Sequence, residues 1–358
     1  MTELFRNVRL ICAFATMVVV GLPVESAFAQ ASGTSTSAST PRGSSTPTPK
    51  LTVKKKASYS STAARARRAK IASARAAAQA RLLREAEEPK FKLDDAGALV
   101  PDVRAEAAII YNPENGQILY EQNSQNERSI ASITKVMTAA VFFENNPDLT
   151  QQIVVQRSDV RSASTTYLRA GYKLSTGDLL HLLLIASDNA AARALARVSS
   201  QGSEAFIDRM NDKARELGLT TTHYADPSGL LSANVSSAYD MARLIAYVAS
   251  DDRISSIMRK QYHSVAVGRR TITVHSTNQL VMKGDVDVLG GKTGFISKAG
   301  YCLATLLWLP QGGPQVAVVV LGAKSNAGRF WETRHLFNWL SNKAQEVFAA
   351  PVQASGTN

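Results

Sequence analysis

Cysteine is nearly absent from this chain. Two occur in 358 residues, Cys12 and Cys302, and Cys12 lies in a segment expected to be removed. The one that remains cannot close an internal disulfide. In "YCLATLLWL" Cys302 reads as a small buried hydrophobe. Histidine is scarce as well. None of the five, His181, His223, His263, His275 and His335, stands in a His-Glu-x-x-His spacing, so a zinc hydrolase is unsupported and no metal or cofactor is expected. No Gly-x-Ser-x-Gly elbow occurs. The apolar run "LICAFATMVVVGLP" is too short to span a bilayer comfortably. It follows Arg6 and Arg9 and precedes Ala27-Phe28-Ala29, which reads as a secretory signal over 1–29 cleaved near Ala29. The competing reading is an uncleaved anchor or a buried helix. No cysteine follows at a lipoprotein position, so lipid anchoring is not expected.

An excess of one charge sign is missing from most of the chain. The formal net charge is +12, yet residues 30–95 hold 14 Lys/Arg against 5 Asp/Glu, leaving only +3 for residues 96–358. Basicity belongs to a tail. Its first half, "ASGTSTSASTPRGSSTPTPK", has nothing to bury and reads as disordered. Its second half, "AARARRAKIASARAAAQARLLREAEE", has high helix propensity but no apolar stripe. In a cytoplasmic chain such a stretch suggests nucleic acid. Export makes an anionic membrane or wall polymer the better partner than nucleic acid, and a plain charged spacer is an equal alternative.

Folded sequence is expected from near Ala105. "AAIIYNPENGQILYEQ" is a hairpin around Asn115-Gly116. Helical periods follow in "IASITKVMTAAVFFE", "STGDLLHLLLIAS", "NAAARALARVS", "SEAFIDRMNDKARELG" and "SAYDMARLIAYVAS". From about residue 264 the pattern turns to strands: "HSVAV", "RTITVHS", "VDVLGGKTGF", "YCLATLLWLP" and "QVAVVVLGA". A last amphipathic helix, "RFWETRHLFNWLSNKAQEVF", closes the chain. This order predicts an α/β protein whose terminal pieces share one antiparallel sheet flanked by helices, with a helical region inserted. The domains expected are a signal (1–29), a tail (30–95), a catalytic domain (96–350) and a short C-terminal tail (351–358).

One residue is out of place in that pattern. Lys135 sits inside an apolar helix, three residues after Ser132, so the two share a face. A free lysine titrates near about 10.4 and is no base at neutral pH. Desolvation lowers that value, and a neutral amine can take the proton of a serine. At the helix start, the N–H of Ser132 also counts among the free donors that can hold an oxyanion. Ser-x-x-Lys alone is weak, because it arises often by chance. Four Ser-x-Asn triplets occur: Ser124-Gln125-Asn126, Ser187-Asp188-Asn189, Ser232-Ala233-Asn234 and Ser276-Thr277-Asn278. Of these, Ser187-Asp188-Asn189 lies tightly between two apolar helices, where a turn can push polar tips into a cleft. The chain's single Lys-Thr-Gly, Lys292-Thr293-Gly294, ends a β run. Its cation, hydroxyl and strand edge can hold a carboxylate, and its glycines allow close approach.

Ser-x-x-Lys, Ser-Asp-Asn and Lys-Thr-Gly, in that order, resemble the set of penicillin-binding proteins and class A β-lactamases. The likeness covers about residues 100–345. The wording "IASITKVMTA", "SDNAA", "STNQLV" and "GGKTGFISKAGYCL" is similar to the D-alanyl-D-alanine peptidases of serine family S11, in particular the penicillin-binding protein 7 type of endopeptidase. The resemblance implies the transpeptidase-like fold of that superfamily. It makes Ser132 the acyl-forming nucleophile and Lys135 its base. It has Ser187 and Asn189 relaying a proton and holding the substrate amide, and Lys292 and Thr293 holding a carboxylate. The N–H groups of Ser132 and Phe295 would form the oxyanion hole. The partners implied are peptidoglycan stem peptides, with β-lactams as covalent inhibitors.

A class A β-lactamase also needs a deacylating Glu in a Glu-x-x-Leu-Asn stretch. The corresponding region, "LGLTTTHYADPSGLLSAN", contains none, so slow deacylation is expected. The chain ends soon after its last helix, without the additional β domain or amphipathic anchor of many carboxypeptidases in the family. That favours cleavage of D-alanyl cross-links, with a D-alanyl-D-alanine carboxypeptidase as the alternative. A wall-binding scaffold with a vestigial pocket is the non-enzymatic reading, and intact Ser132, Lys135 and Lys292 speak against it.

Overall fold

The computed structural model describes residues 62–349. The expected signal over 1–29, the tail up to residue 61 and the end at 351–358 lie outside the described residues. Helix α1 (Thr62–Glu87) is the Ala/Arg-rich half of the tail. It offers no apolar face, and the side chains described along it are exposed, as its composition requires. Among the described residues no helix is long and apolar enough to cross a membrane.

Five antiparallel strands form the central sheet: β1 (Ala107–Tyr111), β2 (Ile118–Gln122), β3 (Val288–Ile296), β4 (Gly300–Trp308) and β5 (Gln315–Ala323), in the order β3-β4-β5-β1-β2. The terminal pieces of the domain therefore meet, with Tyr111 opposite Ala317 and Ala107 opposite Leu321. The period of two explains why β1 and β5 read as unbroken apolar runs. Ala107, Ile109, Ala317, Val319 and Leu321 enter the core beneath the helical block. Ala108, Ile110, Val316, Val318 and Val320 enter a second core under α8 (Asn326–Ala349), against Phe330, Leu336, Phe337 and Leu340.

The inserted block contains α2 (Thr134–Phe143), α3 (Thr176–Ile185), α4 (Asn189–Val198), α5 (Ser203–Glu216), α6 (Ala238–Ala249) and α7 (Asp252–Met258). Every residue of α2 is buried, and it is surrounded by α3, α4, α5 and α6. A helix apolar all round belongs in such a place. Helix α6 carries the block onto the sheet through β1, β3, β4 and β5.

Two expectations need correction. The strands at Tyr262–Val267 and Arg270–His275 pair only with each other. Their alternation buries Val265, Val267 and Val274, which suits a ribbon lying on the helical block rather than a sheet strand covered on both faces. The folded region also starts before residue 96. Phe91–Leu93 pairs with Leu99–Pro101 around a turn in which Asp94 Oδ1 accepts the N–H groups of Ala96 and Ala98. This small hairpin rests on α8, where Phe91 meets the His335 ring at 5.0 Å and Trp339 Nε1 donates to Leu99 O.

Candidate active site

The chain enters α2 through a 3-10 turn, Ala131–Ile133. Ala131 adopts a left-handed φ of 49°, a conformation that costs a non-glycine residue about 1–3 kcal/mol and persists only when its surroundings enforce it. Ser132 follows at the cleft surface, in the first turn, where backbone N–H groups lack intrahelical partners. Lys135 is on the first turn of α2 and is completely buried. Its Nζ lies 2.9 Å from Ser132 Oγ and 2.6 Å from Asn189 Oδ1, and it also donates to Ser228 O.

The proton inventory of this cluster is decisive. Asn189 Nδ2 donates to Ala163 O at 2.7 Å, which fixes Oδ1 as the atom facing Lys135. Asn189 Oδ1 and Ser228 O can only accept. A neutral amine has two N–H donors and one lone pair. In the neutral form those two donors are spent on the two acceptors, and the lone pair is directed at Ser132 Oγ. Burial brings Lys135 from the ordinary value of 10.5 down to about 7, against the opposing pull of Asp226 and Asp188.

Opposite, Ser187 also has a left-handed φ, 59°, and its Oγ accepts from Lys292 Nζ at 2.8 Å. The neighbouring Asp188 sets this turn. Its buried carboxylate caps α4 through Ala191 N and accepts from Thr166 Oγ1 and Tyr167 N. Lys292, on β3, is fully buried and also donates to Thr293 O. Burial, then repulsion from Lys135 and Arg329, holds its pKa well below the usual lysine range. A cleft of about 540 Å³ runs between these walls, and Ser132, Ser187, Asn189, Thr293, Gly294 and Phe295 all line it. A Cβ on Gly294 would come within 2.7 Å of Ile130 O, so β3 passes directly against the turn that carries Ser132.

The family model for D-alanyl-D-alanine carboxypeptidases, peptidase family S11, matches residues 94–325. The chain belongs to the S11 family of serine peptidases. Among its relatives is a D-alanyl-D-alanine endopeptidase of Haemophilus influenzae, 32% identical over 63% of this chain and 78% of that protein. A D-alanyl-D-alanine carboxypeptidase of Escherichia coli is 32% identical over 67% of this chain and 62% of its own length. The crystal structure of the Streptomyces K15 DD-transpeptidase superposes with a TM-score of 0.62 at 27% identity, covering 67% of this chain and 97% of that one. This S11 member is thus a serine hydrolase with the penicillin-binding protein fold.

Within the S11 site, several residues escaped the sequence reading. Asp226 organises the loop after α5, accepting from the N–H groups of Ser228, Gly229 and Leu231 and from Asn234 Nδ2. These hydrogen bonds outweigh its burial and lower its pKa. The loop supplies Ser228 O to Lys135, and Gly229, at φ 79°, lies so close that a Cβ would stand 2.0 Å from Ala131 O. This region lacks the deacylating Glu of the lactamase comparison, and its one carboxylate, Asp226, is consumed in shaping the loop. Arg329 of α8 borders the cleft as a buried cation and donates to Gly294 O at 2.9 Å. Burial lowers its pKa to about 10. Thr277 lines the cleft as well. Asn189, expected to hold the substrate amide, spends Oδ1 on Lys135 and one N–H on Ala163, which leaves one N–H for a ligand.

Proposed function

We propose that this protein is an exported cell-envelope DD-endopeptidase that hydrolyses D-alanyl cross-links between peptidoglycan stem peptides and is acylated by β-lactams. The observation that carries the chemistry is the place of Lys135 Nζ, 2.9 Å from Ser132 Oγ and held by two fixed acceptors that leave the lone pair of its neutral form for the serine. Lys135 takes the Ser132 proton as Oγ bonds to the D-alanyl carbonyl carbon. The resulting oxyanion sits between the N–H groups of Ser132 and Phe295. Collapse breaks the C–N bond, and the proton held on Lys135 passes through Ser187 to the leaving amine, which returns Lys135 to its neutral form. Water then hydrolyses the acyl ester. The leaving group's carboxylate lies at Lys292 and Thr293, beside Arg329, the cation that borders the cleft. The donor stem extends past Phe295 toward Ser297.

Support for cross-link cleavage comes from the extent of likeness, which runs along 78% of the endopeptidase but 62% of the carboxypeptidase. Half-exposed Phe295 at the cleft mouth also suits a bulky substrate. The tail, with its exposed α1, supplies attraction to an anionic membrane or wall polymer. Two measurements test the reading. Ser132→Ala, still folded, loses covalent labelling by a fluorescent penicillin; wild-type labelling in that variant sinks the assignment. Given equal amounts of cross-linked dimers and monomeric pentapeptides, the enzyme consumes the dimers. Free D-alanine released while dimers persist would make it a carboxypeptidase instead.

A further inference from the structure

Of the four Ser-x-Asn triplets, Ser276-Thr277-Asn278 has no role in the chemistry above, yet its middle residue borders the cleft. Thr277 Oγ1 lies 2.6 Å from Thr293 Oγ1, and the Thr277 N–H donates to Ile185 O, at the end of α3 just before the Ser187 turn. Asn278 accepts Leu280 N and caps the short helix that follows. A Cβ at Gly291 of β3 would fall 2.8 Å from Asn278 Nδ2. The triplet is therefore wedged between α3 and β3, the two elements that deliver Ser187 and Lys292.

We propose that Thr277 is a positioning residue for the carboxylate site: its hydroxyl donates to Thr293 Oγ1 and thereby commits the Thr293 proton to an anionic ligand. The inference rests on the serine-peptidase reading above and follows from proton counting. Each hydroxyl has one hydrogen and can also accept, so one of the pair donates to the other and a single proton stays free. A carboxylate can only accept. With it in place beyond Thr293, the sole arrangement that satisfies all three groups runs from Thr277 to Thr293 to the carboxylate. Donation along such a chain strengthens each link. Without Thr277, the Thr293 hydroxyl loses its donor and is free to rotate away.

The test uses a matched pair of acyl-D-alanyl thioesters whose leaving groups end in a carboxylate or a carboxamide. Hydrogen bonds to charged groups are worth more than neutral ones, so Thr277→Val lowers the carboxylate-over-carboxamide preference in kcat/KM by about tenfold. Thr277→Ser keeps most of that preference. The double variant with Thr293→Val has the same preference as Thr293→Val alone, since both act through one proton. An unchanged preference in Thr277→Val, equal losses on both thioesters, or additive losses in the double variant overturns the role of Thr277 and leaves the serine-peptidase reading standing. A wild-type enzyme acylated by neither thioester overturns both.

Discussion

Lys135 is held by what it must not lose. Asn189 Oδ1 and Ser228 O would each stand buried and unpaired without it, at a cost of about 1–3 kcal/mol apiece. Arginine keeps the charge but cannot act as a neutral base. Lys135→Arg therefore loses acylation by at least about a hundredfold, within the range general-base catalysis supplies. A purely electrostatic lysine would tolerate the change, so penicillin acylation rates of the two proteins across pH decide the point. The sign of the pH dependence follows from the lowered value. In the proposed mechanism the neutral amine is the active form, and it dominates above about 7, so the wild-type rate climbs about tenfold per unit below that pH and levels off above it. The same depression links to stability. Between about 7 and 10.5 the unfolded chain binds a proton that the folded one does not, so stability increases with pH across that window. Lys292 adds in the same direction. Urea unfolding at pH 7 and pH 9 reads the effect.

Between the residue and the whole molecule stands the loop at 226–234. Its contact with the Ala131 carbonyl makes Gly229 the most confined of its residues, and its positive φ adds backbone strain to any replacement. Gly229→Ala pushes the 3-10 turn out of place, costing about 2–4 kcal/mol, or roughly 4–16 °C in Tm. Acylation falls further than stability does, because the turn carries Ser132. Calorimetry alongside penicillin labelling of the folded fraction separates the two losses. None of this was legible in the sequence. Ser132, Lys135, Ser187, Asn189 and Lys292 to Phe295 stand in short ordered motifs whose residue types already state a chemistry. Gly229 takes its role from a contact with Ala131, almost a hundred positions earlier, and Asp226 from shaping the loop whose Ser228 carbonyl meets Lys135. Thr277 shares its triplet with three others, and only its packing against β3 sets it apart. Arg329 reads as the polar side of an amphipathic helix until α8 is laid on the sheet. The helices and long strands were legible because their periods run for two turns or more, whereas the three-residue strands of the Phe91–Pro101 hairpin are too short to have one.

At the scale of the molecule, the charge and the core are separate. A chain beginning at residue 89 keeps the small hairpin and its contacts with α8, and so retains wild-type Tm and penicillin acylation. One beginning at residue 96 removes the strand Phe91–Leu93 and uncovers His335, which lowers Tm by a few degrees, about 1 kcal/mol or more for a lost strand pairing. Both shortened chains bind anionic vesicles or wall sacculi less than the full-length protein, and that advantage shrinks as salt approaches about 1 M. Equal binding of long and short chains at low salt would make the tail a spacer.

The pairing of β1 with β5 has a consequence for the order of assembly. Tyr111 has Ile118 on one side but finds its other neighbour only at Ala317, so the middle of the sheet is sealed by a strand made about two hundred residues later. Until then β1, apolar along its whole length, has a partner on one edge only, and α8, which covers one of its faces, follows later still. Bringing its ends together closes a loop of about two hundred residues, and such distant pairing is slow to form. A chain threaded through a pore from its N-terminus passes most of its transit in that open condition, with adhesive surface exposed. Whatever receives it must protect a half-built sheet, and the yield of active enzyme then depends on the interval between the arrivals of residue 111 and residue 317.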